Sequence, residues 1–134
     1  TTNQPEKVDL LTKAGAEVVI ANMADRDKIQ EISKGIDAIS FLVPFFLQNP
    51  FDGLTYAKNV IDAAVANNVK LLVWNTSGYI LPVEIGNPAM DIRIDIAAYL
   101  KESGLPHIII QPSVYAENLL GPWTAPFVKN ELTV

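Results

Sequence analysis

Asp37-Ala-Ile-Ser-Phe-Leu-Val43, stopped by Pro44, is followed by residues 52–67 and then by Lys70-Leu-Leu-Val-Trp-Asn75. The first and last pieces are short, apolar almost throughout and rich in β-branched or aromatic side chains, which marks them as strands buried on both faces. Between them Ala57, Val60, Ile61 and Ala64 fall on one stripe at helical spacing, the pattern of a helix packed on a sheet, and Asn67-Asn68 gives it a polar exit. Strand, helix and strand in this order point to a parallel sheet, so the chain is read as α/β.

The alternation extends both ways. Upstream, Val8, Leu11 and Ala14 recur at helical spacing after Pro5, and Gly15 suits a terminating position with positive φ. Residues 16–23 read as another buried strand. Asp25 is placed to cap a helix in which Ile29 and Ile32 share a face, ended by Gly35. Downstream, a loop rich in Gly and Pro over 77–86 leads to Asn87-Pro88, an N-cap followed by proline at the first helical position. The helix after it carries Ile92, Ile96 and Leu100 on one face and ends at Gly104. His107-Ile-Ile-Ile-Gln111 is a further strand closed by Pro112, and residues 116–120 read as one or two helical turns. The expected architecture is a mostly parallel sheet of about four strands with helices on both faces. No repeat or Gly/Ser linker divides the 134 residues, so one domain is expected.

Composition narrows the function. Ten Lys and Arg against fifteen Asp and Glu give a net charge of −5, which leaves no general electrostatic footprint for nucleic acid or anionic lipid. With no Cys and a single His, His107, the chain has no disulfides, no thiolate chemistry and only carboxylate-heavy options for zinc, and no metal site is expected. The most apolar run, residues 38–47, is shorter than the roughly 18 residues of a membrane-spanning helix, and Pro44 interrupts it. The first residues lack the basic and apolar regions of a signal peptide. A cytoplasmic protein without a membrane segment is the expectation.

In open parallel sheets ligands bind beyond the carboxyl ends of the strands, here segments 22–25, 43–46, 75–79 and 112–118. Thr76 and Ser77 place hydroxyls just past one strand, and Gly78 lets a ligand approach the backbone. Thr76-Ser77-Gly78 is not a nucleophile elbow, and His107 opens its strand at the opposite end, which argues against a triad. Asp91 and Asp95, four apart and flanked by Arg93, read as a solvated helix face. Tyr115 is either a pocket wall or a core aromatic; Trp74 and Trp123 read as packing residues. The seven glycines, Gly15, Gly35, Gly53, Gly78, Gly86, Gly104 and Gly121, form neither G-x-G-x-x-G nor a P-loop. A turn that would hold a diphosphate against helix N–H groups is therefore missing from these residues.

Five segments in unbroken order carry a resemblance. They are Gly15-Ala-Glu-Val-Val-Ile-Ala-Asn-Met23, Gly35-Ile-Asp-Ala-Ile-Ser-Phe-Leu-Val-Pro44, Lys58-Asn-Val-Ile-Asp-Ala-Ala64, Tyr99-Leu-Lys-Glu-Ser-Gly-Leu-Pro106 and Gln111-Pro-Ser-Val-Tyr-Ala-Glu-Asn-Leu-Leu120. Over residues 13–122 the sequence resembles the NmrA-like family of atypical short-chain dehydrogenases/reductases. The resemblance implies an NAD(P)-binding Rossmann domain with a small carboxy-terminal substrate region. Members include NAD(P)H-dependent quinone or aromatic-substrate reductases and non-catalytic sensors of the NADP/NADPH ratio that bind regulatory partners.

Carried over by position, the resemblance puts Asn22 and Met23 beside the adenine, with Asn22 standing where Asp is usual. It puts Val43 and Pro44 near the ribose, Thr76 and Ser77 near the nicotinamide, and Ser113, Val114 and Tyr115 against nicotinamide and substrate. Ser77 and Arg93 are the catalytic candidates. Arg93 occupies the place of the family's active-site lysine; it keeps the charge but does not readily release a proton, which argues against proton relay and leaves cofactor contact. No Tyr is followed four residues later by Lys, so the dyad of typical short-chain dehydrogenases is also missing.

Family members begin with a strand, the Gly-rich turn, a helix and a second strand, and this sequence is expected to start after them. In the order 3-2-1-4-5-6 the missing pair joins the strand at 16–23 to the strand at 37–43. Residues 1–134 are thus expected to be a partial domain lacking the first two strands and the carboxy-terminal substrate region. Two alternatives remain open: the first strand pairs directly with the second, or another chain fills the gap, since an open parallel edge invites self-association. This chain alone is expected to bind NADP or NAD weakly or not at all. Its parent is read as an NAD(P)H-dependent oxidoreductase of a small carbonyl or quinone. The alternatives are a non-catalytic NADP-sensing module with a protein partner, and a non-functional truncated copy.

Overall fold

The computed structural model describes residues 1–2, 4–44, 47–113, 115 and 117. A 3₁₀ turn at Pro5–Lys7 runs into α1 (Val8–Lys13), and α2 (Arg26–Ile32), β1 (Ala38–Leu42), α3 (Asp52–Ala66), β2 (Leu71–Asn75), α4 (Pro88–Glu102) and β3 (His107–Ile110) follow. The sequence signals act where they were read. The Asp25 carboxylate accepts from Lys28 N at 3.0 Å and the Asn87 side chain from Ala89 N at 3.1 Å, each satisfying a first-turn donor that the helix itself cannot. Gly35 turns the chain into β1 at φ 74°, where a Cβ would be strained.

The three strands are parallel in the order β1-β2-β3, and their register sets Phe41 beside Trp74 beside Ile109. Residues in register on parallel strands share a face, so Ile39, Phe41, Leu72, Trp74 and Ile109 lie together. That face meets α3 through Ala57, Ile61 and Ala64 and α4 through Ile96 and Leu100, all fully buried, and α2 adds Ile29. The rings of Phe41 and Trp74 stack with centroids 6.2 Å apart. Tight packing of this one layer is the core of the molecule.

The architecture departs from expectation in two respects. Helices were expected on both faces, but among the described residues the helical layer lies on one: Leu42, Ile108 and Ile110 on the other face are 44%, 50% and 47% exposed. The amphipathic stripe of α1 buries nothing. The sheet also has three strands rather than about four. Residues 16–23 make a single parallel bridge, Thr2 to Ile20, with Thr2 N donating to Val19 O at 3.1 Å and Ala21 N to Thr2 O at 3.0 Å. A cavity of about 610 Å³, walled by Glu17, Val19 and Met23 on one side and by β1 on the other, separates this segment from the sheet. Ladder bonds need strands about 4.8 Å apart, so direct pairing of 16–23 with β1 does not occur. The helical turns expected over 116–120 lie outside the described residues.

Candidate functional site

β2 and β3 direct their carboxyl ends toward the loop over 77–86. Thr76 N donates to Ile110 O at 3.0 Å, extending the ladder one residue past the strand. The Thr76 hydroxyl, 4% exposed, donates to the carbonyls of Gly78 and Ile110, the latter at 3.1 Å. Ser77 follows at φ 54° with its N–H bonded to the Asn75 side chain at 2.9 Å, and Gly78 at φ 149°. Two consecutive positive-φ residues turn the chain sharply off the sheet.

Arg93 reaches this turn from α4. It is 5% exposed, donates from Nη1 to Tyr79 O at 3.2 Å, and lies so close to Gly78 that a Cβ there would sit 3.2 Å from Nη1. Burial lowers the pKa of its guanidinium from its ordinary value, because desolvation penalises the charged form. Two further bonds fix the same loop: Ile80 N to Gln111 Oε1 at 2.8 Å and Ile85 N to Asp91 Oδ1 at 3.0 Å. Asp91, read from the sequence as part of a solvated face, is therefore a tether for the loop. The signal that could have found it is its place in the first turn after a long loop, where a carboxylate meets free backbone donors.

A cavity of about 20 Å³ opens at the ends of β1 and β2, and Val43, Pro44, Thr76 and Arg93 all line it, with Trp74 and Ile92. Four of the residues singled out in the sequence thus converge. Asn22 and Met23 stand elsewhere: Asn22 is exposed and accepts from Ala24 N at 2.9 Å, while Met23 faces the wide cavity beside β1. Their loop is held by Asn59 of α3, a buried residue the sequence reading passed over, which donates to Met23 O at 2.8 Å and Ala24 O at 3.3 Å. Ser113 is exposed, Tyr115 is 49% exposed, and neither lines the small cavity. Val114 lies outside the described residues. Of the two readings of Tyr115, the core aromatic is excluded. His107 opens β3 with Nδ1 2.7 Å from Leu105 O, at the end of the sheet away from this site.

The described residues offer walls for a nucleotide but no cradle for its diphosphate. One first-turn amide in each of α2 and α4, Lys28 N and Ala89 N, is engaged by the side chains of Asp25 and Asn87. At α3, Gly53 is not an open approach: a Cβ there would meet Ile92 Cδ1 at 2.8 Å and Val43 Cγ1 at 2.9 Å, so the glycine serves packing. A diphosphate seated at any of these helix starts would compete with a side chain already in place.

Parallel strands joined by helical crossovers, with polar loops and a cavity at their carboxyl ends, define a nucleotide-binding α/β domain. The chain belongs to the NAD(P)H-binding family, whose profile matches residues 1–125, and the cofactor class is accordingly NADP or NAD. No curated protein sequence matches it. Among solved structures it is similar to the Citrobacter sp. triphenylmethane reductase complexed with NADP(H), at 16% identity and a TM-score of 0.78, covering 96% of this chain and 44% of that one. It is similar to the Escherichia coli NADPH-dependent quinone oxidoreductase complexed with NADPH, at 22% identity and a TM-score of 0.77, covering 96% and 43%. A Staphylococcus aureus nucleoside-diphosphate-sugar epimerase aligns at 20% identity and a TM-score of 0.76, covering 97% and 45%. The chain spans less than half the length of these structures. Among the described residues no helix is long and apolar enough to cross a membrane.

Proposed function

We propose that these residues are the nucleotide-facing part of an NmrA-like, cytoplasmic, atypical short-chain reductase whose whole protein reduces a small carbonyl or quinone with NADPH. The observation that carries this reading is the convergence of Val43, Pro44, Thr76 and Arg93 on one cavity at the carboxyl ends of β1 and β2. Two structural neighbours, a quinone oxidoreductase and a triphenylmethane reductase, support the same substrate class. Hydride chemistry would come from the nicotinamide. In this reading Val43 and Pro44 flank the ribose, Thr76 and Ser77 border the ring, and Ser113, Val114 and Tyr115 stand on the substrate side. Arg93 fixes the loop carrying Ser77 through its bond to Tyr79 and presents a permanent positive charge to the site.

A second reading is favoured by Arg93 itself. A guanidinium is not a proton donor at ordinary pH, so a site that keeps the charge and lacks a tyrosine–lysine dyad suits an NADP-sensing module that binds without turnover. The experiment is NADPH oxidation with a panel of quinones and aldehydes, run beside calorimetric NADPH titration, on the protein expressed from the full reading frame that contains this chain. Turnover supports the reductase. Binding without turnover replaces it with the sensor, and no binding overturns both. The same titration on residues 1–134 alone is expected to give association weaker than micromolar, since the described residues hold no diphosphate cradle.

A further inference from the structure

The peptide between Tyr79 and Ile80 is held at both ends. Its carbonyl accepts from Arg93 Nη1 at 3.2 Å, and its N–H donates to Gln111 Oε1 at 2.8 Å. The carbonyl and N–H of a trans peptide point in opposite directions, so α4 grips this plane from one side and the residue after β3 from the other. Nearer the sheet the chain is fixed a second time, where Thr76 N and the Thr76 hydroxyl both donate to Ile110 O, at 3.0 Å and 3.1 Å. Ser77 and Gly78 lie between the two anchor points, both at positive φ.

Gln111 does not serve the core: it is exposed, and 31 residues separate it from its partner. The net worth of a hydrogen bond is comparable with the rotamer freedom a glutamine gives up to make it, so this bond adds little to stability. What it adds is position. We propose that Gln111 is a positioning residue of the site: by accepting from Ile80 N–H it sets the distance between the turn carrying Ser77 and the segment carrying Ser113 and Tyr115. This role rests on the reading that the nicotinamide lies against the first and the substrate against the second. Reacting groups held between two such walls must meet at about 3–3.5 Å, and a misplacement of about 1 Å costs on the order of 10²-fold in rate. Affinity for the dinucleotide is spread over its whole length and depends little on the spacing at one end. The role therefore shows in kcat and not in NADPH binding.

The test is made on the protein expressed from the full reading frame that contains this chain. Gln111→Leu removes the acceptor, and Gln111→Glu keeps an oxygen at the same reach. Quinone reduction and calorimetric NADPH titration are read beside Tm and amide exchange at Ile80. In Gln111→Leu, exchange at Ile80 is expected to quicken and kcat to fall about tenfold, within the range that misplacement commands. NADPH Kd and Tm are expected to stay at the parental values, and Gln111→Glu to restore kcat. If Gln111→Leu fails to fold, Gln111→Asn, whose oxygen is drawn back by one methylene, takes its place. In a parent that binds NADPH without turnover, the emission of the bound nicotinamide replaces kcat, with a change in Gln111→Leu that Gln111→Glu reverses. Parental kcat or emission in Gln111→Leu, a loss that Gln111→Glu does not restore, or a loss matched by equally weakened NADPH binding overturns the role and leaves the reductase reading standing. A parent that neither binds nor oxidises NADPH overturns both.

Discussion

Arg93 Nη1 donates to Tyr79 O across 3.2 Å, so a helix residue holds down the turn that leaves β2. Gly78 lies directly under the guanidinium, and this pair is the hinge of the candidate site. The loop has no strand or helix of its own; its position is set by Arg93, Asp91 and Gln111 reaching it from the elements around it.

Gly78→Ala therefore tests the arrangement. The residue sits at φ 149°, and the new Cβ would lie 3.2 Å from Arg93 Nη1. Backbone strain of this kind costs about 1–3 kcal/mol. A loss in that range in urea unfolding is expected, with faster amide exchange at Tyr79 and Ile80. Gly86→Ala, at φ 80° with open space around it, is the control that carries strain without the contact. Unaltered exchange at Tyr79 in the Gly78 variant would refute the hinge.

What the sequence made legible was local. Asp25 and Asn87 announce their caps, and the Ala57-Val60-Ile61-Ala64 stripe announces the buried face of α3, because each depends on residues within a turn or two. Residues 16–23 have the composition of a strand, but composition does not name a partner, and the segment stands across a cavity from β1 with one bridge to Thr2. Of the site, Thr76 was visible from its place after a strand. The burial of Arg93 was not: between two aspartates on a helix, an arginine looks solvated, and only the packing of α4 against the loop shows otherwise.

Tyr99 and Asp62 join α4 to α3. The phenol donates to Asp62 Oδ1 at 2.7 Å, Arg26 approaches the other carboxylate oxygen at 3.5 Å, and Lys58 Nζ lies 4.9 Å from the centre of the Tyr99 ring. The bond to Asp62, followed by burial, raises the Tyr99 pKa above its ordinary 10.0. The folded state thus holds this proton more tightly than the unfolded one, so the contribution is complete below pH 10 and is lost as pH rises through the folded value. Tyr99→Phe is expected to cost about 0.5–1.5 kcal/mol near neutrality. The gap to the parent should close above pH 10. A gap that is constant or widens with pH contradicts the bond.

Asn59 carries the 22–24 loop. Its amide donates to two successive carbonyls, Met23 O and Ala24 O, from a buried position on α3. Asn59→Ala leaves both acceptors without this donor, at an expected cost of about 1–3 kcal/mol. Loss of protection should appear at Ala24 and Asp25 while β2 and β3 remain protected, since neither strand touches this bond. Uniform loss across the sheet would mean that Asn59 supports the core rather than the loop.

Gly53 sets how closely α3 approaches α4 and the end of β1. A Cβ at this position would meet Ile92 Cδ1 at 2.8 Å and Val43 Cγ1 at 2.9 Å. Alanine gains about 1 kcal/mol in helix propensity over glycine, against about 1–3 kcal/mol for overpacking. The Ile92 methyl can swing aside, but Val43 is β-branched and stiff, so the clash should win and Gly53→Ala should destabilise. Ile92→Val removes the Cδ1 atom and half of the conflict. In a thermodynamic cycle the two substitutions should therefore be less than additive, with a coupling of about 0.5 kcal/mol or more. Strict additivity in urea unfolding would show that Ile92 does not limit the approach, and a stabilised single Gly53→Ala variant would show that the helices part freely at this point.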